Sequence, residues 1–141
     1  MKTFIALLVL IISSVFAAPF DKRQEPDACG GFRITSPNQS GLQWTNGECY
    51  QVSFDAGNNA AGALKITSID LVDSNGNVVK PQWTGSVDAT QGYVPNFNLN
   101  IPKTGTYNFR VNAQPTAGAK CTRDTVTFTG TYNPNSGSAQ C

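Results

Sequence analysis

The chain has 141 residues, with 10 Lys or Arg, 9 Asp or Glu and no His, so its formal net charge is +1. The charges are spread without a basic patch or an acidic run, which excludes nucleic acid and anionic membrane surfaces as expected partners. The absence of His argues against Ser–His and Cys–His nucleophiles.

The N-terminus has the layout of a secretory signal peptide. Lys2 supplies a positive charge, and an apolar run follows from Phe4 to Phe16. The run is shorter than the about 20 residues that a bilayer-spanning helix needs. We therefore expect a signal peptide over residues 1–17 that is cleaved after Ala17. The product is then secreted to the extracellular space or the cell wall and keeps no membrane contact.

A second processing mark follows the signal peptide. Lys22 and Arg23 form a dibasic pair in a short polar stretch, where secretory-pathway proteases cut. We expect residues 18–23 to be a propeptide that ends with cleavage after Arg23. The alternative is a pair of solvated charges in a flexible tail. Residues 24–31 form an N-terminal tail in either case.

Beyond residue 31 the dominant hydrophobic period is two, which is typical of β-strands with one face on a core. Tyr50, Val52 and Phe54, for example, alternate with polar residues. Turns rich in Gly, Asn and Pro separate the alternating runs. The predicted strands are 32–36, 48–55, 66–72, 78–83, 96–101, 106–113 and 123–132.

About seven short strands at this spacing predict an all-β domain, an immunoglobulin-like antiparallel β-sandwich over residues 32–132. Tyr107 adds a local argument, because it lies near the start of the strand 106–113, after a turn that contains Pro102. A tyrosine at this place can hydrogen-bond back to the backbone as the corner residue of such a fold. The alternative is a core tyrosine whose hydroxyl lies at the rim.

The four cysteines, Cys29, Cys49, Cys121 and Cys141, are an even number in a chain expected to be secreted, which indicates disulfides. A zinc site would have to gather thiolates from the whole chain, so we expect no metal and no cofactor.

The predicted strand order selects one disulfide pairing. In an immunoglobulin-like arrangement, the starts of the first and last strands lie at one end of the sandwich. The start of the second strand and the end of the last strand lie at the other. The order predicts Cys29–Cys121 at one end and Cys49–Cys141 at the other, with the C-terminal tail 133–141 tied by Cys141.

Several motifs together resemble a known family. They are Ile34-Thr35-Ser36-Pro37, Gly41, Trp44, Gly47, Tyr50-Gln51-Val52-Ser53-Phe54, Ile69-Asp70-Leu71-Val72 and Gly105-Thr106-Tyr107-Asn108-Phe109-Arg110-Val111. The pattern resembles the N-terminal immunoglobulin-like module of fungal cell-wall β-1,6-glucan synthesis proteins and of Ser/Thr-rich, lipid-anchored wall proteins. The resemblance implies association with the cell wall and a wall polysaccharide, β-glucan, as partner.

Amides and hydroxyls, rather than charges, occupy the positions expected to face outward. They are Asn96, Asn98, Asn100, Asn108, Asn112, Thr125, Thr127 and Thr129. Such groups can bond to sugar hydroxyls, and aromatic rings can stack on the apolar faces of sugars. The candidate ligand-binding residues are Trp83, Trp44, Tyr93, Asn96 and Asn98.

Each of the aromatic candidates also has a structural interpretation. Trp44 can plug the edge of the core, because tryptophan is highly buried on average. Trp83 follows Pro81 and can lie on the surface or pack inward. Tyr93 can cover one end of the sandwich, and the polar face itself can be an ordinary soluble surface.

Six acidic residues are candidates for the carboxylate pair that glycoside hydrolysis needs. They are Glu48, Asp55, Asp70, Asp73, Asp88 and Asp124. Their expected places at outward positions, strand ends and turns favour structural roles. We therefore expect no catalytic residues and no enzymatic activity.

Asn38-Gln39-Ser40 is an N-glycosylation sequon in a polar loop after the first predicted strand. We expect Asn38 to be glycosylated, the alternative being an unused sequon.

The sequence therefore predicts a small secreted, non-enzymatic module that is cell-wall associated or polysaccharide-binding. The alternative is a secreted protein-interaction module, effector-like or inhibitor-like, whose partner binds the loops at one end of the sandwich.

Overall fold

The computed structural model describes residues 29–141. The predicted signal peptide, the propeptide, their cleavage positions Ala17 and Arg23, and residues 24–28 of the predicted N-terminal tail lie outside the described residues. Within the described part, no helix has the length and apolar character needed to cross a membrane.

The described residues form ten β-strands and one 3₁₀ turn, Ala89–Gln91. In chain order the strands are β1 (Arg33–Ser36), β2 (Leu42–Thr45), β3 (Cys49–Tyr50), β4 (Ser53–Asp55), β5 (Leu64–Asp73), β6 (Val78–Asp88), β7 (Phe97–Asn98), β8 (Gly105–Pro115), β9 (Cys121–Asp124) and β10 (Phe128–Thr131).

The prediction of an all-β fold is confirmed, and the strand count differs from about seven for local reasons. The predicted strand 48–55 divides into β3 and β4, and 123–132 divides into β9 and β10. Residues 42–45, expected to be a loop, form β2.

The strands pair in two groups. One sheet has the order β2-β10-β8-β5-β6, with β9 also paired to β8, and the other group consists of the pairs β1-β4 and β3-β7. The first two strands lie in different groups, because β1 pairs with β4 and β2 pairs with β10. The β2–β10 pair is parallel, which corrects the expectation of a purely antiparallel sandwich. The other strand pairs among the described residues are antiparallel.

The core lies between the two groups of strands, and the period of two places the side chains in it. Tyr107, Phe109, Val111 and Ala113 of β8 are all buried. The Phe109 ring meets the Phe97 ring of β7 edge-on, with centroids 5.3 Å apart. This contact joins the two groups through one hydrophobic cluster, and fully burying one such side chain contributes about 1.5–3 kcal/mol.

Tyr107 is the corner residue that the sequence indicates. Its hydroxyl donates a 2.7 Å hydrogen bond to the backbone oxygen of Lys103, in the turn before β8. Burial raises the pKa of the Tyr107 phenol, so the phenol keeps the proton that makes this bond.

The predicted disulfides are confirmed, with Cα–Cα distances of 5.3 Å for Cys29–Cys121 and 5.7 Å for Cys49–Cys141. They lie towards opposite ends of β8. Cys121 is paired with Ala113 near the end of β8, whereas the turn before Cys49 bonds to Thr131, which follows the pairing of β10 with the start of β8.

Candidate functional site

Trp44 packs at the edge of the core. Its indole stacks on the Tyr50 ring at a centroid distance of 4.1 Å and lies 4.6 Å from the Phe128 ring. The side chain is half-buried and belongs to the residues packed around the core. The geometry therefore agrees with the structural interpretation of Trp44.

Trp83 is also half-buried against the core, on β6. A Cβ atom at Gly85 would lie 2.6 Å from Cζ2 of the indole, so the absence of a side chain at Gly85 makes room for the ring. The indole lines a shallow hollow of about 190 Å³ together with Pro81, Gln82 and Thr84.

Of the other three predicted ligand residues, Asn98 lies on β7, and Tyr93 and Asn96 lie in the segment before β7. Tyr93 is 47% exposed and forms a bridge with Ser53 beside β4. Asn96 is exposed. Asn98 is half-buried, and its Nδ2 donates to the backbone oxygens of Gly47 at 2.9 Å and Ala139 at 2.8 Å. The five candidates therefore do not converge on one surface.

A different concave surface collects amide side chains around Asn98. It has a volume of about 460 Å³ and lies between β6, the segment after β7 and the C-terminal tail 133–141. We call it the amide trough. Its lining includes Asn46, Gln82, Asn98, Asn100, Tyr132 and Ser136.

Gln82 and Asn100 fix one wall of the amide trough. The Gln82 side chain pairs with the Asn100 backbone, accepting from its N–H at 2.8 Å and donating to its carbonyl oxygen at 2.9 Å. Lys80 Nζ donates to Asn100 Oδ1 at 3.0 Å. The Lys80 bond orients the side-chain amide of Asn100, whose Nδ2 has no hydrogen-bond partner among residues 29–141 and is available to a ligand.

The C-terminal tail forms the opposite wall. Asn46 and Asn133 bond reciprocally, with Asn46 Nδ2 donating to the Asn133 oxygen at 3.2 Å and the Asn133 N–H donating to Asn46 Oδ1 at 2.6 Å. The Ala139 N–H donates to the Gly47 oxygen at 2.9 Å. The Cys49–Cys141 disulfide then joins the end of the tail to the start of β3.

Gly47 allows the tail to approach this closely. Its φ is +85°, which L side chains rarely adopt. A Cβ atom on Gly47 would lie 2.5 Å from the Gly137 backbone oxygen. A larger residue at this position would therefore displace the tail, which forms one wall of the amide trough.

The amide trough is polar but uncharged. None of the described residues that line it is Asp, Glu, Lys or Arg, and Lys80 lies beside it through its bond to Asn100. Tyr132 contributes an aromatic ring that is 44% exposed. The surface can therefore offer amide donors and acceptors together with one ring, and it lacks the charges that would favour an ionic ligand.

Of the eight amide and hydroxyl residues expected to face solvent, Asn108, Asn112 and Thr125 are buried, so the expectation is wrong for these three, whereas Asn96, Asn100, Thr127 and Thr129 are exposed. Asn112 is 4% exposed, and its Nδ2 donates to Ser68 Oγ at 3.0 Å and Asp70 Oδ2 at 2.8 Å. Asn108 and Thr125 are each 8% exposed. Asn108 and Asn112 lie on β8, a central strand flanked by β5, β9 and β10. Thr125 directly follows β9, and its Oγ1 accepts from the Phe109 N–H of β8 at 3.0 Å.

The candidate carboxylates have structural partners. Asp73 Oδ1 accepts from the backbone N–H groups of Asn75 and Asn77, and Asp124 forms two hydrogen bonds with Arg110 at 2.8 and 3.1 Å. These bonds hold a turn and a strand pair, respectively.

The carboxyls with shifted pKa values are poor candidates for a general acid. Hydrogen bonds from the Thr90 backbone and hydroxyl lower the pKa of Asp88 to about 2. The Gly57 N–H and Arg33 lower the pKa of Asp55. A glycosidase acid needs a raised pKa instead. Within residues 29–141, no group of three or more Asp, Glu or Cys could hold a metal ion.

Glu48 accepts a 2.6 Å hydrogen bond from the Tyr50 hydroxyl. Burial, followed by this bond, raises the pKa of Tyr50. The phenol stays protonated and also accepts from the Thr45 N–H at 3.2 Å. The Glu48–Tyr50 pair therefore holds Thr45, the last residue of β2.

The fold and the site together define the class of this protein: it is a small all-β sandwich domain with two disulfides and an uncharged polar trough. No protein-family model matches the chain, and no curated protein or solved structure is significantly similar to it.

The sequence indicates Asn98 as a candidate and Asn100 as an outward amide, but it does not indicate Asn46, Gln82 or Tyr132. These three lie on separate segments. Gln82 is joined to Asn100, and Asn46 is joined to the tail at Asn133. The signal that could have indicated this region is the predicted Cys49–Cys141 disulfide, which returns the tail to the start of β3.

Proposed function

We propose that the protein is a small secreted, non-enzymatic module that binds an uncharged polysaccharide in the amide trough. The observation that carries this proposal is the fixed array of amides and hydroxyls beside the Tyr132 ring, in a lining without charged side chains.

The array is pre-organised, which favours binding. Gln82 and the Asn100 backbone are already hydrogen-bonded to each other, and Asn98 is held between Gly47 and Ala139. Side chains that are ordered before binding lose less conformational entropy when a ligand arrives, a saving of about 0.5–1.5 kcal/mol for each one. A flexible polymer with many hydroxyls gains from such a surface.

Three observations support a secreted, wall-associated setting. The two disulfides favour an oxidising compartment. The N-terminal sequence has the pattern of a signal peptide. The resemblance to the immunoglobulin-like module of fungal wall proteins suggests β-glucan as the first polysaccharide to test.

The proposal is tested by retention of the purified protein on insoluble β-glucan and chitin. We expect the wild-type protein to be retained on at least one of them, and Asn100→Ala and Tyr132→Ala to reduce this retention. Thr129→Ala is the matched control, because Thr129 is exposed on β10 and does not line the trough. Equal retention of all four proteins, or none for the wild type, would contradict the proposal.

A second candidate function, binding to a protein partner, rests on exposed valines. Val78 is 54% exposed and Val79 37% exposed, at the start of the edge strand β6. Edge strands can pair with an extended peptide, although Pro81 removes one donor from this edge. This function would be favoured if a purified partner binds the wild type but not Val78→Ser/Val79→Ser, and if neither the wild type nor the variant is retained on β-glucan.

A further inference from the structure

A second groove lies beside β2 and shares no lining residue with the amide trough. It has a volume of about 300 Å³ and is lined by Ser36, Pro37, Asn38, Gln39, Leu42 and Trp44. The loop between β1 and β2 forms one wall, and β2, an edge strand of the six-stranded sheet, forms the other.

Apolar side chains make up the β2 side of this groove. Leu42 and Trp44 are two residues apart on one strand, so they lie on the same face. Both are half-buried and packed against the core. Because Tyr50 and Phe128 pack on the Trp44 ring, the part of the indole that lines the groove is the part these rings leave uncovered.

The opposite wall carries the sequon Asn38-Gln39-Ser40. All three residues are exposed, and the segment 37–39 has no regular secondary structure. The Asn38 amide has no hydrogen-bond partner among residues 29–141. An exposed sequon in an irregular loop is typical of a site that carries an N-linked glycan.

We propose that Asn38 carries an N-linked glycan whose first N-acetylglucosamine lies in this groove against Leu42 and Trp44. The apolar face of the sugar contacts the indole and the leucine, and its acetamido and hydroxyl groups lie towards the polar loop. The inference rests on the secreted placement in the proposed function, but not on polysaccharide binding in the amide trough.

The covalent step needs a lipid-linked oligosaccharide diphosphate as donor. A bond forms between Asn38 Nδ2 and C1 of the first sugar, while the bond from C1 to the diphosphate oxygen breaks. The amide gives up one proton, and the lipid diphosphate leaves. After transfer the sugar is tethered beside the groove, so its effective concentration there is high and a modest contact is sufficient to hold it.

The first experiment measures modification. The full chain is secreted from a yeast host, and the intact mass is determined before and after treatment with peptide N-glycosidase. We expect a glycan mass in the wild type and in Ser40→Thr, and its loss in Asn38→Gln and Ser40→Ala. Secreted wild-type protein without a glycan would overturn the proposal, whatever the outcome of the β-glucan retention experiment.

The second experiment measures where the first sugar lies. In a Trp83→Phe background Trp44 is the one tryptophan, and its fluorescence is quenched with acrylamide. Three forms are compared: the intact glycoprotein, the form trimmed by an endoglycosidase to a single N-acetylglucosamine, and the form with the whole glycan removed. Removal converts Asn38 to Asp, so the Asn38→Asp variant is the matched control.

We expect the intact and the trimmed forms to be equally protected from acrylamide. Complete removal should increase quenching to the level of the Asn38→Asp variant. Equal quenching in all forms would overturn the placement of the sugar on Trp44. If Trp83→Phe is not secreted, the same comparison is made on the wild-type background, where the Trp83 contribution is constant.

Discussion

The two disulfides span the same sequence separation, 92 residues, but lie in different surroundings. Cys29 and Cys121 are each 2% exposed and belong to the hydrophobic core. Cys141 is exposed, and Cys49 is half-buried. The first disulfide joins two segments that are already packed, whereas the second holds a tail that contacts the domain mainly through hydrogen bonds.

This difference implies that one disulfide mainly affects the stability of the domain and the other mainly affects the proposed binding surface. The buried disulfide closes the end of the sandwich where β9 begins. The exposed disulfide returns the tail to β3, and the tail supplies one wall of the amide trough. Although the two disulfides close loops of equal length, we do not expect their removal to have equal effects, because they restrict different parts of the folded state.

The largest effect is expected for the pair Cys29→Ala/Cys121→Ala. Removing a native disulfide from a small secreted domain costs about 2–5 kcal/mol of unfolding free energy, and here the buried sulfur atoms also leave unfilled core volume. Urea unfolding of this variant and the wild type measures the difference. A loss no greater than that of the Cys49→Ala/Cys141→Ala pair would break the comparison.

The exposed disulfide should contribute less to stability. In Cys49→Ala/Cys141→Ala the tail gains freedom in the folded state, which offsets part of the entropy gained by the unfolded chain. We expect a cost in the lower part of the range of about 0–5 kcal/mol. We expect the same variant to lose retention on β-glucan, whereas folded Cys29→Ala/Cys121→Ala should keep it. Unchanged retention would show that the tail is not a wall of the binding site.

Tyr107→Phe sharpens the comparison at the trough end of β8. The change removes the hydroxyl that donates to the Lys103 backbone while it keeps the buried ring. We expect a loss of about 0.5–1.5 kcal/mol in the unfolding free energy, measured by the urea midpoint. Tyr93→Phe is the matched control, because Tyr93 is 47% exposed. A larger loss in the control would contradict the corner role.

The smallest effect concerns acid stability at the end of β8 where the buried disulfide lies. Asp88 caps the 3₁₀ turn through the Thr90 N–H and also accepts from the Gly62 N–H. Its folded pKa is about 2, below the about 3.9 of an unfolded aspartate. Its stabilising contribution is therefore present above about pH 4 and is lost as the pH falls through about 2.

Asp88→Asn should flatten this part of the stability profile. The melting temperature, followed from pH 5 to pH 2, is expected to fall less steeply in the variant than in the wild type. Asp124→Asn serves as a comparison for an exposed carboxylate in an ion pair. Identical slopes for Asp88→Asn and the wild type would contradict the capping role.

The strand order and the disulfide pairing could be predicted because both depend on a local pattern and on a general topology. Alternation along β8 predicts which face is buried, and the predicted strand order then brings Cys29 to Cys121. The burial of Asn112 could not be predicted in this way, since it depends on which strands flank β8. Alternation distinguishes the faces of a strand but not how far its neighbours cover the outer face.

The candidate site was harder to predict for a similar reason. The amide trough joins β6, the segment after β7 and the C-terminal tail, and their contact depends on the close approach at Gly47. The sequence Asn46-Gly47 predicts a turn, and the structure has a turn at these two residues. The second role of Gly47, as the place where the tail crosses, is visible only once the tail is positioned.

The most direct test of the central claim is a map of ligand contacts by amide NMR. Isotope-labelled protein is titrated with a soluble oligosaccharide of the polysaccharide that retains it. We predict that the amide signals of Asn98, Asn100 and Ala139 shift with saturation, while those of Asn38 and Thr129 do not. Saturable shifts confined to other surfaces, with the amide trough unaffected, would contradict the claim.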